Sequence, residues 1–203
     1  MHFAYLSLIP EFDFHDSESY IKSSPLSQKL SDNLRTEHVK TLSVVQRSPF
    51  NKKSSVNNID YYFIPDEFEP ILLWWQEPEP VFQLISKIKP DVIVVRGLDL
   101  PLQFRWLRRM TGDKIIIIGE HTGETIWANR NLWLQQFGLR VVDGFIFKNL
   151  KKSHPWTKAS VILEKQSILE IDLHSKDPEK TAQSLVEFYN HLLTTKNTKT
   201  SKK

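Results

Sequence analysis

Two short runs of uninterrupted β-branched aliphatic residues constrain the fold of this chain more than any other feature. Val92–Val95 (VIVV) and Ile115–Ile118 (IIII) contain no polar residue that would mark a solvent-facing side. Strands of this kind are buried on both faces, which is typical of parallel sheets covered by helices. Apolar residues at helical spacing lie between the runs, for example in residues 81–88, and this alternation is typical of βαβ units.

The same alternation extends over most of the chain. Strands are predicted at residues 3–9, 39–45, 60–64, 92–95, 115–118, 141–147 and 159–163, and helices at 25–35, 81–88, 101–110 and 125–137. The polar segments at 11–24 and 46–58 are predicted to be loops because they are rich in Ser, Asn and charged residues. We therefore expect an α/β fold with a doubly wound, mostly parallel Rossmann-like sheet of about six or seven strands flanked by helices.

The C-terminal segment has its own helical signature. Asp177 is suited to an N-cap, Pro178 to the first helical position and Glu179 to the positive end of the helix. One face is apolar, formed by Ala182, Leu185, Val186, Tyr189, Leu192 and Leu193. The expected organisation is a domain at 1–176, an amphipathic helix at 177–195 that docks on the body or on a partner, and a basic disordered tail at 196–203.

Composition excludes several classes of site. The chain has 203 residues and no cysteine, so disulfides, thiol catalysis and cysteine-held metals are excluded. No apolar run has the length of a membrane helix, and the N-terminus lacks the pattern of a signal peptide, so we expect a cytoplasmic location. The net charge is +3, and the tail alone holds four lysines. No nucleic-acid recognition motif is visible, and a peripheral contact with an anionic membrane remains an open role for the tail.

Familiar catalytic motifs are missing from the sequence. There is no GxGxxG after the first strand, no Walker lysine motif, no GxSxG elbow and no HExxH. A dinucleotide cradle, a P-loop, an α/β-hydrolase nucleophile and a zincin site are therefore not supported.

Three polar segments follow predicted strands, at residues 96–101, 119–124 and 147–156. In open parallel sheets, ligands bind outside the carboxyl ends of the strands. In GEHTGE (119–124), His121 is a candidate general base or a ligand of a sugar hydroxyl, and Glu120 and Glu124 can orient it or bind hydroxyls. The alternative is a strand-to-helix turn that Gly123 permits, in which Thr122 or Glu124 caps the next helix.

The segment RGLDLP (96–101) offers a second candidate. Arg96, Gly97 and Asp99 leave a buried strand and can bind a polyol or a phosphate, or they can form an ion-paired turn. One histidine and two glutamates close in sequence do not make a metal-ligand set, so no metal is predicted. Tryptophans are predicted to be mostly core, except the pair Trp74–Trp75 before a helix start.

Three segments together resemble a known family. They are KPDVIVVRGLDLP, KIIIIGEHTGE and RVVDGFIFKNLKKSHPW, with the matching positions at Lys89–Gly97, Ile115–Glu124 and Val142–Phe147. In this order they resemble the N-terminal domain of GT-B glycosyltransferases of the large retaining family 4. The resemblance spans roughly residues 3–163 and implies a Rossmann-like domain that binds the acceptor.

The resemblance also implies which parts are separate. In that family the nucleotide-sugar is held mainly by a C-terminal domain, and about forty residues follow Leu163, far fewer than a usual domain. We therefore expect an acceptor-binding half of a sugar transferase that acts with a donor-binding partner or within a larger enzyme. The sites implied are His121 as the catalytic residue, contacting the reacting sugar, and Arg96, Gly97, Asp99, Glu120, Thr122, Gly123 and Glu124 for substrate binding.

Two further expectations accompany this hypothesis. No cofactor is expected, and a nucleotide-sugar is the possible donor substrate of a hexosyl transfer. The alternative hypothesis is a non-catalytic carbohydrate-binding or scaffold protein derived from a glycosyltransferase, which would use the same sheet edge or the C-terminal helix to hold a partner.

Overall fold

One mixed sheet, with helices on both faces, organises the chain. The computed structural model describes residues 1–9, 16–23, 28–37, 39–67, 72–73, 75–127, 131–164, 166–171 and 177–200. The strands are β1 His2–Ser7, β2 Thr41–Arg47, β3 Lys52–Val56, β4 Ile59–Ile64, β5 Val92–Arg96, β6 Ile116–His121, β7 Gly144–Phe147 and β8 Ser167–Glu170. The helices are α1 Ser17–Ser23, α2 Gln28–Thr36, α3 Glu79–Ile88, α4 Pro101–Thr111, α5 Leu132–Leu139, α6 Leu150–Lys158 and α7 Pro178–Thr200.

The strand order is β3-β4-β2-β1-β5-β6-β7-β8. Every neighbouring pair is parallel except β3 with β4. The chain builds outward from β1 to one side and then returns to add β5 and its successors on the other side. The predicted doubly wound, mostly parallel fold is confirmed, and within the described residues the sheet has eight strands, more than the six or seven expected.

Each face of the sheet has its own core. Helices α1, α2 and α7 cover one face, where Tyr20, Leu34 and Phe188 pack on the side chains of Phe3, Val94 and their neighbours. Helices α3 to α6 cover the other face, with side chains that include Phe82, Phe104, Leu139 and Trp156. The consecutive isoleucines of β6 enter both cores in turn, because Ile116 and Ile118 belong to the first core and Ile117 to the second. Both faces are therefore apolar, as parallel strands require.

Two predicted loops contain regular structure. Residues 52–56 form edge strand β3, which pairs with β4 through a turn at Asn57 and Asn58 with φ of 52° and 62°. Two-residue hairpin turns favour residues such as asparagine that tolerate positive φ. The Asn57–Asn58 pair was therefore the sequence signal that could have predicted this hairpin. Residues 17–23 form α1, whose first turn is capped by Asp16 Oδ1, accepting from the backbone N–H groups of Glu18 and Ser19 at 2.8 Å each.

The predicted strand at 159–163 is wrong. Val161 and Ile162 are buried, but their N–H groups donate to the carbonyl of Trp156 at 3.0 and 3.3 Å, in the turn that ends α6. Their apolar character reflects packing under α6, and the next strand is β8 at Ser167–Glu170. The predicted helix at 125–137 is also displaced, because α5 covers Leu132–Leu139.

The C-terminal helix docks on the body of the protein, which is one of the two alternatives that its sequence left open. Ala182, Leu185 and Leu192 are buried against the sheet, and Phe188 joins them. At position 144 in β7 a Cβ would lie 2.8 Å from Phe188 Cζ and 2.9 Å from Leu192 Cδ1, so a larger residue there requires these side chains to shift. Glycine therefore favours the close approach of α7 to β7 at this point.

The helix also extends into the segment expected to be a disordered tail. Residues 196–200 are helical, and Lys196 Nζ donates to Asp143 at 3.1 Å and to the carbonyl of Ile115 at 3.0 Å. Asp143 also accepts from Arg108 Nη2 at 2.5 Å. Burial lowers the pKa of Lys196, and Asp143 opposes that shift. These contacts hold the end of α7 against the amino ends of β6 and β7, and they stabilise the last turns of the helix. None of the described helices is long and apolar enough to cross a membrane.

Stability is expected to fall between neutral and mildly acidic pH because of His2. Its Nε2 lies 2.9 Å from Ser43 Oγ, and burial lowers the pKa of His2, although Asp91 and Asp60 oppose the shift. The unfolded chain then binds this proton at higher pH than the folded protein, so stability is lost as pH falls through the usual histidine pKa of about 6.5. Urea midpoints at several pH values should show a shallower decline for His2→Asn. Equal slopes for the two proteins would contradict this role.

Candidate functional site at the carboxyl edge of the sheet

The crevice of interest lies between the carboxyl ends of β1 and β5. Strand β1 pairs in parallel with β2 on one side and with β5 on the other, so the connections that leave these ends run in opposite directions. Such a switch point is where ligands bind in open α/β sheets. In this protein a small pocket lies there, lined by residues that include Ile9, Arg96, Gly97 and Asp99.

The segment 119–124 is divided between strand and turn. Gly119, Glu120 and His121 are the last residues of β6, and the turn begins at Thr122. Because side chains alternate along a strand, Glu120 and His121 point to opposite faces of the sheet. The expectation that Glu120, His121 and Glu124 form one group therefore needs correction: Glu120 lies on the face of α1, and His121 on the face of α6.

Glu120 belongs to a buried polar group with Tyr5 and Arg96. The Tyr5 hydroxyl donates to Glu120 Oε2 at 2.5 Å, and Arg96 is the register partner of Glu120 on the adjacent strand. Burial and the nearby Glu120 carboxylate raise the pKa of Tyr5 well above its usual value, while Arg96 opposes the shift. The phenol therefore stays protonated and holds the carboxylate at the carboxyl edge.

His121 is packed rather than open. Its ring stacks on Phe147, its register partner on β7, with centroids 4.7 Å apart, and it meets Trp156 edge-on at 5.6 Å. Nε2 lies 3.0 Å from the carbonyl oxygen of Glu124. The side chain is only 5% exposed. Contact with a reacting sugar remains a prediction, and it requires the turn at 122–124 to move away from the ring.

Glu124 organises the turn. Its carboxylate accepts from the Thr122 N–H at 2.8 Å and from the Thr122 hydroxyl, and Gly123 has a φ of 128°. These bonds lie within the turn, whereas α5 begins later at Leu132, so capping of the next helix is not the role of either side chain. The same carboxylate also borders Gly97, where a Cβ would lie 3.3 Å from Glu124 Oε1.

Asp99 lies with His121 and Glu124 on the other side of the sheet from the Glu120 group. Burial raises the pKa of Asp99, and the neighbouring Glu124 carboxylate raises it further, while His121 opposes the shift. The structure thus brings Gly97, Asp99, His121 and Glu124 together on one side of β5 and β6. Thr122 and Gly123 are exposed in the turn beside them.

Several neighbours of these groups were not predicted. Tyr5 lies in the middle of β1, and Phe147 and Trp156 were assigned to a strand and to a polar segment. Tyr5 lies two residues before the end of β1, so alternation could have placed its side chain on the same face as that of Ser7. That pattern does not identify Glu120 on β6 as its partner. Among the tryptophans, Trp156 is core, Trp75 is 53% exposed and Trp133 is 59% exposed. Trp74 lies outside the described residues.

The described residues contain no group of three His, Cys, Asp or Glu side chains placed to hold a metal ion. The polar groups that the arrangement offers are the carboxylates of Asp99, Glu120 and Glu124, the Arg96 guanidinium and the His121 imidazole. Carboxylates accept hydrogen bonds from hydroxyl groups, and Asp99 is the carboxylate among the residues that line the pocket.

Comparison with known proteins finds a similar fold in solved structures but no match in sequence. No protein-family model matches the sequence, and no curated protein sequence matches it. A sucrose-phosphate synthase structure from Thermosynechococcus elongatus aligns over 95% of this chain and 99% of its own, with a TM-score of 0.61 and 12% identity. The apo form of the lipopolysaccharide outer core galactosyltransferase WaaB aligns over 83% of this chain, with a TM-score of 0.53 and 11% identity.

The lengths of the two matches differ. This chain spans nearly all of the sucrose-phosphate synthase chain but 44% of the WaaB chain. At such low identity the likeness establishes the fold alone. The chain therefore has the Rossmann-like α/β fold that is found in these two glycosyltransferases.

Proposed function

We propose that this chain is the acceptor-binding half of a GT-B sugar transferase, acting with a donor-binding partner or as part of a larger enzyme. The observation that carries the proposal is the crevice at the switch point of the sheet, which Gly97 and Asp99 line and whose Gly97 borders the Glu124 carboxylate. The donor would be a nucleotide-sugar bound by the partner, and the reaction a hexosyl transfer in the cytoplasm.

Local chemistry supports acceptor binding. The Glu120 carboxylate is held by Tyr5 in register with Arg96, and Glu124 is held by its own turn. Carboxylate oxygens that the protein already holds in place can bind a ligand hydroxyl without losing side-chain entropy. In this arrangement Arg96, Gly97, Asp99, Glu120 and the turn at 122–124 bind the acceptor.

Exposed apolar side chains support a protein partner. Ile9 follows β1, Trp133 lies in the first turn of α5 and Leu150 begins α6, so all three lie at the carboxyl side of the sheet. Their exposures are 42%, 59% and 47%. Large apolar side chains grouped near one edge are typical of an interface. A donor-binding polypeptide is the proposed occupant, since this chain spans 44% of the WaaB chain.

The second candidate is a non-catalytic carbohydrate-binding or scaffold protein. The packing of His121 favours it, because the imidazole is 5% exposed and its Nε2 faces a carbonyl of its own turn. A residue in contact with the reacting sugar needs access to it. The two candidates share the crevice and differ in whether sugar is transferred.

The test is calorimetry of UDP- and GDP-sugars with the purified chain, alone and with a donor-type protein encoded beside it. We expect no nucleotide-sugar binding by the chain alone, and transfer activity when the partner is added. His121→Ala is expected to reduce that transfer about 10²-fold or more if the imidazole contacts the reacting sugar. Lys180→Ala, exposed in the first turn of α7, serves as the control variant.

Two results would redirect the assignment. Nucleotide-sugar binding by the chain alone, abolished in the His121 variant, would mean that this domain contains the donor site. Absence of both binding and transfer, with the partner present, would favour the scaffold candidate.

A further inference from the structure

Helices α4 and α5 present a basic and aromatic surface to solvent. The Arg105 guanidinium lies over the Phe137 ring, 3.7 Å from its centroid, and Nη1 donates to the Phe137 carbonyl at 3.2 Å. Phe137 is 43% exposed and contacts the Trp133 ring, with centroids 6.4 Å apart. Arg109, one turn beyond Arg105 on α4, is exposed. We call these four residues the arginine face.

The charge of the arginine face is not balanced on its own helices. Neither α4 nor α5 contains an aspartate, a glutamate or a lysine. Arg108 of α4 pairs with Asp143, whereas Arg105 and Arg109 form no ion pair within the part of the chain that the structure describes. The chain has 19 lysines and 8 arginines, so composition does not explain the absence of lysine. Enrichment in arginine and aromatic residues with depletion of lysine is typical of protein–protein interfaces.

A segment with the complementary chemistry precedes α3. Leu73 and Trp75 are 39% and 53% exposed. Glu77 follows them, and Glu79 is exposed at the start of α3, where it accepts from Gln83 Nε2 at 2.8 Å. Neither glutamate forms an ion pair with another described residue. We call Leu73, Trp75, Glu77 and Glu79 the acidic segment.

Gln103 anchors the acidic segment beside the arginine face. Its Nε2 donates to the carbonyls of Leu73 at 3.1 Å and Gln76 at 2.8 Å. Gln103 is buried on α4, two residues before Arg105, so both surfaces lie on the same helical layer. In a two-fold symmetric contact each subunit uses the same patch, and a part of it meets a different part of the partner's patch. Adjacent basic and acidic surfaces with exposed apolar side chains meet that requirement.

We infer that this surface binds a second copy of the chain across a two-fold axis. The acidic segment of each protomer lies on the arginine face of its partner, so that carboxylates meet guanidinium groups and apolar side chains cover the exposed rings. Glutamates beside the arginines disfavour nucleic acid and anionic membranes, because like charges repel. The inference is independent of the proposed function, and Trp133 lies where this surface meets the edge proposed for the donor-binding polypeptide.

Charge reversal tests the dimer, with sedimentation velocity over a range of concentrations as the measurement. The wild-type chain is expected to form a dimer. Arg105→Glu combined with Arg109→Glu is expected to raise the Kd of the dimer at least about tenfold, because carboxylates then face carboxylates at both contacts. Glu77→Lys combined with Glu79→Lys is expected to have the same effect, since cations then face cations.

A control and a mixing experiment locate the contact. The control combines Lys22→Glu with Lys180→Glu, which changes the net charge as much as the arginine variant does. Both lysines are exposed on α1 and α7, which cover the other face of the sheet, so the dimer should be unaffected. Mixing the arginine variant with the glutamate variant is expected to restore a dimer, because each contact then joins opposite charges. Circular dichroism verifies that each variant is folded.

Three results would overturn the inference. The first is a wild-type chain that stays monomeric at every concentration; binding of oligo(dT) or phosphatidylglycerol vesicles, lost in the arginine variant, would then assign the arginine face to a nucleic acid or a membrane. The second is a dimer that both double variants leave intact, which would place the contact elsewhere. The third is a pair of folded, monomeric variants that do not dimerise when mixed, which would exclude the reciprocal arrangement.

Discussion

Replacement of Asp66 by alanine is expected to lower the free energy of unfolding by about 3–5 kcal/mol, because it removes the carboxylate that accepts two hydrogen bonds from a buried guanidinium. Arg47 Nε donates to Asp66 Oδ2 at 2.5 Å, and Nη2 donates to Oδ1 at 2.8 Å. Both side chains are 0% exposed. Arg47 ends β2, and Asp66 follows the adjacent strand β4, so the bidentate pair joins the carboxyl ends of two neighbouring strands.

The measurement is urea unfolding of the wild-type protein and of Asp66→Ala. Asp60→Ala on β4 is the control, since Asp60 bonds the Ser55 hydroxyl at an exposed position and should cost less than about 1 kcal/mol. The double variant Arg47→Met, Asp66→Leu is expected to recover most of the loss, because both charges are then removed. A single variant as stable as the control would mean that the pair is not buried in solution.

Gly138→Ala is expected to cost about 3 kcal/mol, at the upper end of overpacking effects. A Cβ at this position would lie 2.3 Å from the carbonyl oxygen of Pro101 and 2.4 Å from its carbonyl carbon. These are backbone atoms in the first residue of α4, so no side-chain rotation relieves the clash. Helices α4 and α5 would have to separate, and α4 begins directly after the pocket residue Leu100.

Thermal and urea unfolding of Gly138→Ala test this contact. Asn131→Ala is the matched control, because Asn131 is the exposed N-cap of α5 and its side chain makes no capping bond. We expect the control to be close to wild type in stability and Gly138→Ala to be clearly less stable. Wild-type stability of the glycine variant would show that α4 and α5 do not approach this closely.

The fold was largely predictable because its strongest signals are local. Uninterrupted apolar runs specify strands buried on both faces, and β5 and β6 lie where VIVV and IIII occur. Signals failed where burial came from elsewhere. Val161 and Ile162 looked like part of a strand, but they are buried in the core on the α6 side of the sheet. Residues 52–56 looked like a loop, but polar side chains such as lysine are tolerated there because β3 is an exposed edge strand.

The sequence predicted where in the sheet the candidate site lies, but not how its side chains are arranged. Topology alone placed Gly97, Asp99 and His121 at the carboxyl edge, as their strands require. The length of β6 was not predictable, because Gly119 suggests a turn. In the structure β6 continues through Gly119 to His121, so Glu120 and His121 point to opposite faces of the sheet.

By itself the sequence determined the α/β class, the mostly parallel sheet and the presence of an amphipathic C-terminal helix, because periodicity and apolar runs are properties of neighbouring residues. Only the tertiary structure decided that Tyr5 holds Glu120, that Arg47 pairs with Asp66 and that His121 is enclosed by Phe147 and Trp156. Those contacts join residues far apart in the chain. Their geometry depends on strand order and register, which no local pattern encodes.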